Sequence, residues 1–326
     1  MITCRYISAL CRRQFNSCGQ LSVGSDVNQI DRMEVGSRAR RLAYINLAVM
    51  LFGFAGVLGK LSGLPAPLIV LGRVVIASLA IMIVVRWLHL YTRPHATREA
   101  AVLLSQGVLL AIHWTTFFQA INVSNVAVGL LAFSSFPLFT VVFEPILLRQ
   151  RPNLTQMLAA LAIIPGIYLL VPVFDVTDST TVGVLWGLVS GMTFALLSVL
   201  NRWLARNYSS LVISLYQETV AAVVLLPALI WFPAVQLLRP QALVALICLG
   251  LFCTAFAHTL FIEGLKSITA QLASLVASLE PVWGIIFAFA FLHEIPTAHT
   301  LLGGCIIVFA TIAPALVGIR KRNVGV

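Results

Sequence analysis

Long stretches with almost no charge recur along this chain, and they decide which solvent it can fold in. A transmembrane helix needs roughly 17–25 predominantly apolar residues. Runs of that kind lie at 43–61, 67–87, 100–120, 124–148, 156–173, 182–203, 210–232, 242–264, 268–292 and 298–318. Only 10% of the 326 residues are charged, against about 25% in a soluble domain. So little charge cannot clothe a water-exposed surface, and lipid must be the solvent for most of the chain. The expected fold class is an all-α membrane protein of ten transmembrane helices.

The net charge of +10 would suit a nucleic-acid partner if it formed a basic face. Instead, Arg and Lys sit in short loops between apolar runs, which is a topology signal. One set of alternate loops holds Arg38, Arg40, Arg41, Arg86, Arg93, Arg98, Arg149, Arg151, Arg202, Arg206, Lys266, Arg320, Lys321 and Arg322. The other holds only Lys60 and Arg239, beside Asp175 and Asp178. The excess places the rich set, with both termini, on the cytoplasmic side of a plasma (cell inner) membrane. Removing a span would destroy this alternation. The partners expected are the lipid bilayer and a small molecule, not nucleic acid.

Residues 1–42 form a polar, basic leader without an apolar core, unlike a cleaved secretory signal. Met33 is the start this pattern favours, because the membrane pattern begins soon after it. Cys4, Cys11 and Cys18 lie in the leader, and Cys248, Cys253 and Cys305 lie in apolar runs; none forms a CxxC pair. No metal site, cofactor motif or nucleotide loop is present, so neither metal nor cofactor is expected.

The chain repeats itself. A shift of 144 residues lays Thr115 on Thr259, Phe117 on Phe261, Pro137 on Pro281, Phe143 on Phe287 and Pro152 on Pro296. Near the repeat starts the shift is 140, pairing Phe54-Ala55 with Phe194-Ala195. Apolar matches come cheaply in such a chain, whereas prolines in register do not. The halves are 43–173 and 182–318, followed by a basic tail at 319–326. Each holds five spans, and an odd number makes the second half enter from the opposite side. Two inverted five-helix repeats are expected, an arrangement of secondary transporters that hold substrate near the midplane. Arg149-Gln150-Arg151 corresponds to His293-Glu294-Ile295, so the basic turn becomes a histidine–acid turn.

The stretch Ser267 to Gly304, with Leu279-Glu280-Pro281-Val282, Glu294-Ile295-Pro296-Thr297 and Gly303-Gly304, resembles EamA-type members of the drug/metabolite transporter superfamily. Residues 254–270, Arg73 and residues 113–129 fit the same pattern, and the likeness covers residues 44–318. The resemblance implies ten helices around a central cavity and export of small metabolites. One departure is Gln150, where members often carry an acid; Glu144 lies earlier.

Charge inside a span is costly, at roughly 2.5–3.5 kcal/mol by insertion scales, so such residues face a cavity or a partner. Glu280 sits beside Pro281 in span nine, where a kink is expected. It can bind a proton or a cationic amine, or it can be a buried acid tying spans together. Arg73, in span two, needs an anion or carbonyls: a substrate carboxylate, a structural ion pair, or a snorkelling route to the surface. Trp114 and His258 coincide under the shift, and His113 is adjacent; both histidines can relay protons or simply hydrogen-bond in the packing. Trp114 is a cavity wall or an interfacial anchor. Gln119, Gln217 and Glu218 add polarity, with Gln217 at the register of Arg73. Gly183, Gly187 and Gly191 form a small-residue ridge, a packing seam or the face of a homodimer. The leading reading is a secondary exporter of small polar metabolites, amino acids or related compounds, by alternating access. The alternatives are a lipid flippase or an enzyme on lipid-linked substrates, and a non-transporting assembly or sensor protein.

Overall fold

The computed structural model describes residues 23–94, 96–149, 151, 154–171, 174–266, 268, 273 and 276–323, with side chains between residues 40 and 310 apart from 155, 156 and 159. Two units are separated, Met1–Arg40 and Arg41–Val326. The first helix among the described residues is α1 (Val23–Ser62). The three leader cysteines, Gln150 and Pro152 lie outside the described residues.

The described residues form helices and no strand. After α1 come α2 (Ala66–Trp87), α3 (Thr97–Val123), α4 (Val126–Phe133), α5 (Phe136–Leu148), α6 (Leu154–Leu161) and α7 (Ile163–Leu170). They continue with α8 (Ser179–Leu204), α9 (Ser210–Leu225), α10 (Pro240–Cys248), a π-helical segment (Leu249–Phe256), α11 (Ala257–Gly264), α12 (Glu280–Leu292) and α13 (Ala298–Asn323). Local chemistry fixes several starts. Asn125 caps α4 by accepting from the Val128 N–H, and Asp178 caps α8 by accepting from Thr181. Pro137 and Pro281 stand in the first turns of α5 and α12, where a missing N–H is harmless. The kink expected at Pro281 is therefore a break, with α12 beginning at Glu280.

Seven of the expected spans are helices long and apolar enough to cross a membrane: Arg40–Ser62, Ala66–Trp87, Thr97–Val123, Val126–Leu148, Ser179–Leu204, Ser210–Ile230 and Pro240–Gly264. The other three fall on pieces. Span 156–173 divides into α6 and α7 around Ala162, and Pro165 explains the division, since its ring clashes with the carbonyl four residues back, that of Leu161. Span 268–292 includes residues outside the description, and its described helix is α12. Within 298–318 the apolar stretch runs over Ala298–Ala310.

α8 packs along α3, α4 and α5, while α2 lies between α9 and the π-helical segment. Glycines set these distances. A Cβ on Gly187 would lie 2.5 Å from Ala132 Cβ, and one on Gly183 would meet Ser124 Oγ at 2.4 Å. A Cβ on Gly191 would lie 2.7 Å from Ser135 Oγ. The Gly183–Gly187–Gly191 ridge is thus a packing seam within the chain, and a homodimer would need another surface. Gly187→Leu is expected to destabilise the fold by about 1–3 kcal/mol through overpacking, read as a lowered unfolding temperature of the purified protein in detergent.

Candidate functional site

In the middle of the helical unit, a cavity of about 20 Å³ is walled by Phe52, Phe117, Phe133 and Phe194 and reached by Arg73, His113, Trp114, His258 and Glu280. It has room for little more than a water molecule. Four of the five polar groups therefore come from residues flagged for their cost or capacity to relay protons, together with one indole.

Arg73, on α2, is 1% exposed. Its Nε donates to Thr254 Oγ1 at 2.8 Å and Nη2 donates to the Cys253 carbonyl at 3.2 Å. Both acceptors sit on the π-helical segment, which alters the backbone hydrogen-bond pattern and can leave carbonyls for other partners. Thr254 in turn donates to the Leu249 carbonyl at 2.7 Å. Gly250 lets this segment approach, because a Cβ there would lie 2.6 Å from Ile76 and 3.0 Å from the Arg73 carbonyl. The guanidinium carbon stands 3.9 Å from the centre of the Trp114 ring and 5.4 Å from that of Phe118, which is cation–π range. Trp114 is thus a cavity wall under Arg73 and not an interfacial anchor. Arg73 does not snorkel out; it is held in place.

The two histidines are pinned differently. His113 Nδ1 lies 3.0 Å from the Ser190 carbonyl oxygen and 2.9 Å from Ser190 Oγ. Ser190 Oγ donates to the His113 carbonyl at 3.1 Å, locking α3 to α8. His258, on α11, donates from Nε2 to Gln217 Oε1 at 2.7 Å, while its ring meets Trp114 edge-on with centroids 5.5 Å apart. Behind His258 an amide chain continues: Gln217 Nε2 donates to Asn201 Oδ1 at 2.6 Å, and Gln106 Nε2 donates to the same oxygen at 3.0 Å.

Gln217 therefore supports the cavity from behind. Glu218 is fully buried on α9, outside the lining. Gln119 is half-buried and does not join the site. Sequence reasoning missed Gln106, Asn201, Thr254 and Ser190. The available signal was an amide or hydroxyl within an otherwise apolar span.

Ion pairs close the two ends of the unit. At one end Lys60 Nζ lies 2.5 Å from Glu294 Oε1, and Glu294 Oε2 accepts from the Val126 N–H at 3.0 Å, at the start of α4. At the other, Arg202 pairs with Glu144, and Arg41 Nη1 meets Glu263 Oε1 at 3.0 Å. Glu263 also accepts from Ser210 Oγ at 3.0 Å and contacts Lys266 at 2.6 Å. Glu144 thus has a partner of its own, on α8. Among the described residues no group of His, Cys, Asp and Glu is placed to hold a metal ion.

The profile of the EamA-like transporter family matches residues 41–171 and again residues 181–313. An uncharacterized transporter of Archaeoglobus fulgidus is 26% identical over 64% of this chain and 74% of its own length. The uncharacterized transporter YwfM of Bacillus subtilis is 25% identical over 60% of this chain and 67% of its own. The pseudopaline exporter CntI of Pseudomonas aeruginosa is 28% identical over 77% of this chain and 86% of its own. One crystal structure superposes with a TM-score of 0.63 over 87% of this chain and 99% of that chain, at 19% identity, a likeness of fold alone.

Thr254→Val keeps the shape of residue 254 and removes the acceptor for Arg73 Nε. Leaving a buried charged donor without its partner costs about 1–3 kcal/mol or more. Thermal unfolding in detergent is expected to show that loss, and Thr254→Ser to recover most of it.

Proposed function

The chain belongs to the EamA-like transporter family, and from that premise we propose a secondary transporter that exports small polar metabolites, amino acids or related compounds, by alternating access. The observation that carries this reading is the pairing, across one aromatic-walled cavity, of a fixed cation at Arg73 and an acid at Glu280. Such a site suits a small solute bearing both a carboxylate and an amine. Arg73 offers a donor fork to the first, Glu280 an acceptor to the second, and the rings cover the solute's carbon frame. The CntI relative is an exporter, which supports outward transport here.

Alternating access fits the dimensions. A cavity of about 20 Å³ cannot hold a metabolite, so helices must part to admit one. The ion pairs at the two ends are the contacts available to break in turn. Lys60–Glu294 joins α1 to the residue just beyond α12, and Arg202–Glu144 joins α8 to α5. The Lys60–Glu294 pair is partly exposed, a kind worth only about 0–1 kcal/mol, whereas Glu144 is buried, which makes Arg202–Glu144 the costlier closure to open.

Ten helices in two inverted repeats, 43–173 and 182–318, remain the architecture proposed. In its support, α5 (Phe136–Leu148) and α12 (Glu280–Leu292) lie 144 residues apart at both ends. Both stop on a left-handed residue, Arg149 at φ 51° and His293 at φ 56°. The contacts of one half also recur with the halves exchanged. α8 meets α5 at Gly191 as α1 meets α12 at Gly53, whose Cβ would lie 2.8 Å from the Gly284 nitrogen. Both termini are placed in the cytoplasm, at the end of the unit that gathers Arg41, Arg202 and Lys266.

In proteoliposomes loaded with amino acids, Arg73→Ala and Glu280→Gln are each expected to lower export at least tenfold, while Gln119→Ala leaves it near wild type. Undiminished export by both cavity variants would remove these residues from the site.

A further inference from the structure

A second, larger cavity lies at the end of the unit where Lys60 meets Glu294. Its volume is about 170 Å³, against about 20 Å³ at the centre, which is space for several waters or a small organic body. α4 contributes Asn125 and Ala127 to its wall, α12 contributes Ile285 and Ala288, and the turn beyond α12 contributes Glu294 and Ile295. The repeat explains the space. Residue 288 is the counterpart of residue 144, since α5 and α12 lie 144 residues apart. At that turn α5 carries Glu144, whose carboxylate meets Arg202, whereas α12 carries only the methyl of Ala288. Ile295 is 80% exposed, so the rim of the cavity reaches the surface.

The chemistry of this wall is one-sided. Among the described lining residues Glu294 alone is charged, and a carboxylate only accepts. Asn125 spends its Oδ1 on the Val128 N–H, and the rest of the wall is aliphatic. Glu294 is anchored through Oε2, which accepts from the Val126 N–H at 3.0 Å. Its Oε1 meets Lys60, and the two side chains of that pair are 31% and 22% exposed. Ion pairs this open to water are weak. An ammonium arriving in the cavity offers Oε1 the same contact from within, and its carbon body also covers the apolar wall, which the lysine does not line.

We propose that this cavity is a second binding site, for a small primary amine with a short aliphatic body, whose ammonium takes the place of Lys60 on Glu294. The Val126 N–H keeps the carboxylate in position during the exchange. Lys60 is released, α1 loses its tie to the turn beyond α12, and occupancy loosens this end of the unit. The site stands on its own cavity and needs neither Arg73 nor Glu280. Its head group has two sources, a free amine or the ethanolamine of a membrane lipid.

The purified full-length protein in maltoside detergent is titrated with trifluoropropylamine and followed by two magnetic-resonance signals. The fluorine line of the amine reads binding. The ε-carbon signals of labelled lysine read the exchange, because the chain has only Lys60, Lys266 and Lys321, and Lys266, paired with Glu263, is an internal control. A saturable broadening of the fluorine line is expected, with a saturable shift of the Lys60 signal while Lys266 stays in place. Affinity falls at least tenfold in Glu294→Gln and in Ala288→Leu, which fills the cavity from α12. It is unchanged in Glu280→Gln, so failure of the central site and failure of this one are told apart. Binding that survives Glu294→Gln, or Lys60 and Lys266 signals that move alike or not at all, overturns the proposal. If Ala288→Leu fails to fold, the series ethylamine, propylamine, butylamine serves instead: affinity rises with chain length if the aliphatic wall takes part, and a flat series overturns the site. Phosphatidylethanolamine is the second arm. If it shifts the Lys60 signal and displaces the fluorinated amine, the lipid head group is an occupant of the site; if it does neither while the amine binds, the occupant is a free solute.

Discussion

A guanidinium that stays charged in a lipid-embedded protein has to be held, and the centre of this molecule is organised around that requirement. Arg73 is 1% exposed. Its charge is met by a hydroxyl and a carbonyl from the π-helical segment and by the face of Trp114, with Glu280 lining the same cavity. Each of these makes a further demand. The π-helical segment must lie close to α2, so Gly250 stands where a Cβ would strike Ile76. Trp114 must be held flat under the cation, and His258 abuts it edge-on. His258 must be oriented in its turn, and Gln217, Asn201 and Gln106 form the amide chain behind it. Three helices are tied together by that chain in a medium where an unpaired amide has no water to turn to.

The same requirement joins structure to transport. The cavity beside the buried cation lacks space for a metabolite, so the proposed transport couples binding to movement of helices. The core around the cavity is built from glycine contacts and aromatic edges, whereas the ends carry ion pairs, Lys60–Glu294 and Arg41–Glu263 among them partly exposed. In the alternating access proposed above, stiffness at the centre with weaker closures at the ends would let helices swing about a site whose geometry survives.

How much of this could be read from the residues follows from what each feature depends on. Spans such as 67–87 and 210–232 were legible because apolar length is a local property. Span 156–173 was less so: hydropathy sees an unbroken run, and Pro165 breaks the helix at Ala162. Arg73 and Glu280 were legible because charge at membrane depth is expensive enough to need a reason. Gln106 and Asn201 were not, since an amide in a span looks ordinary until the rotation of its helix shows what it meets. The glycine ridge on α8 was visible, but whether it served another chain or this one depended on where Ser124 and Ala132 came to lie. The Glu144–Arg202 pair was hidden for a similar reason, as sequence spacing placed one partner in a span and the other in a loop.

The central claim is that the Arg73 cavity opens to one side of the membrane and then to the other. It is tested most directly at Ala55, a small residue in the cavity wall, replaced by cysteine in a chain whose native cysteines have been removed. A membrane-impermeant thiol reagent is applied to sealed right-side-out and inside-out vesicles. The account predicts labelling in both orientations, slowed in each by transported solute. Labelling from one side alone, or from neither, would contradict it.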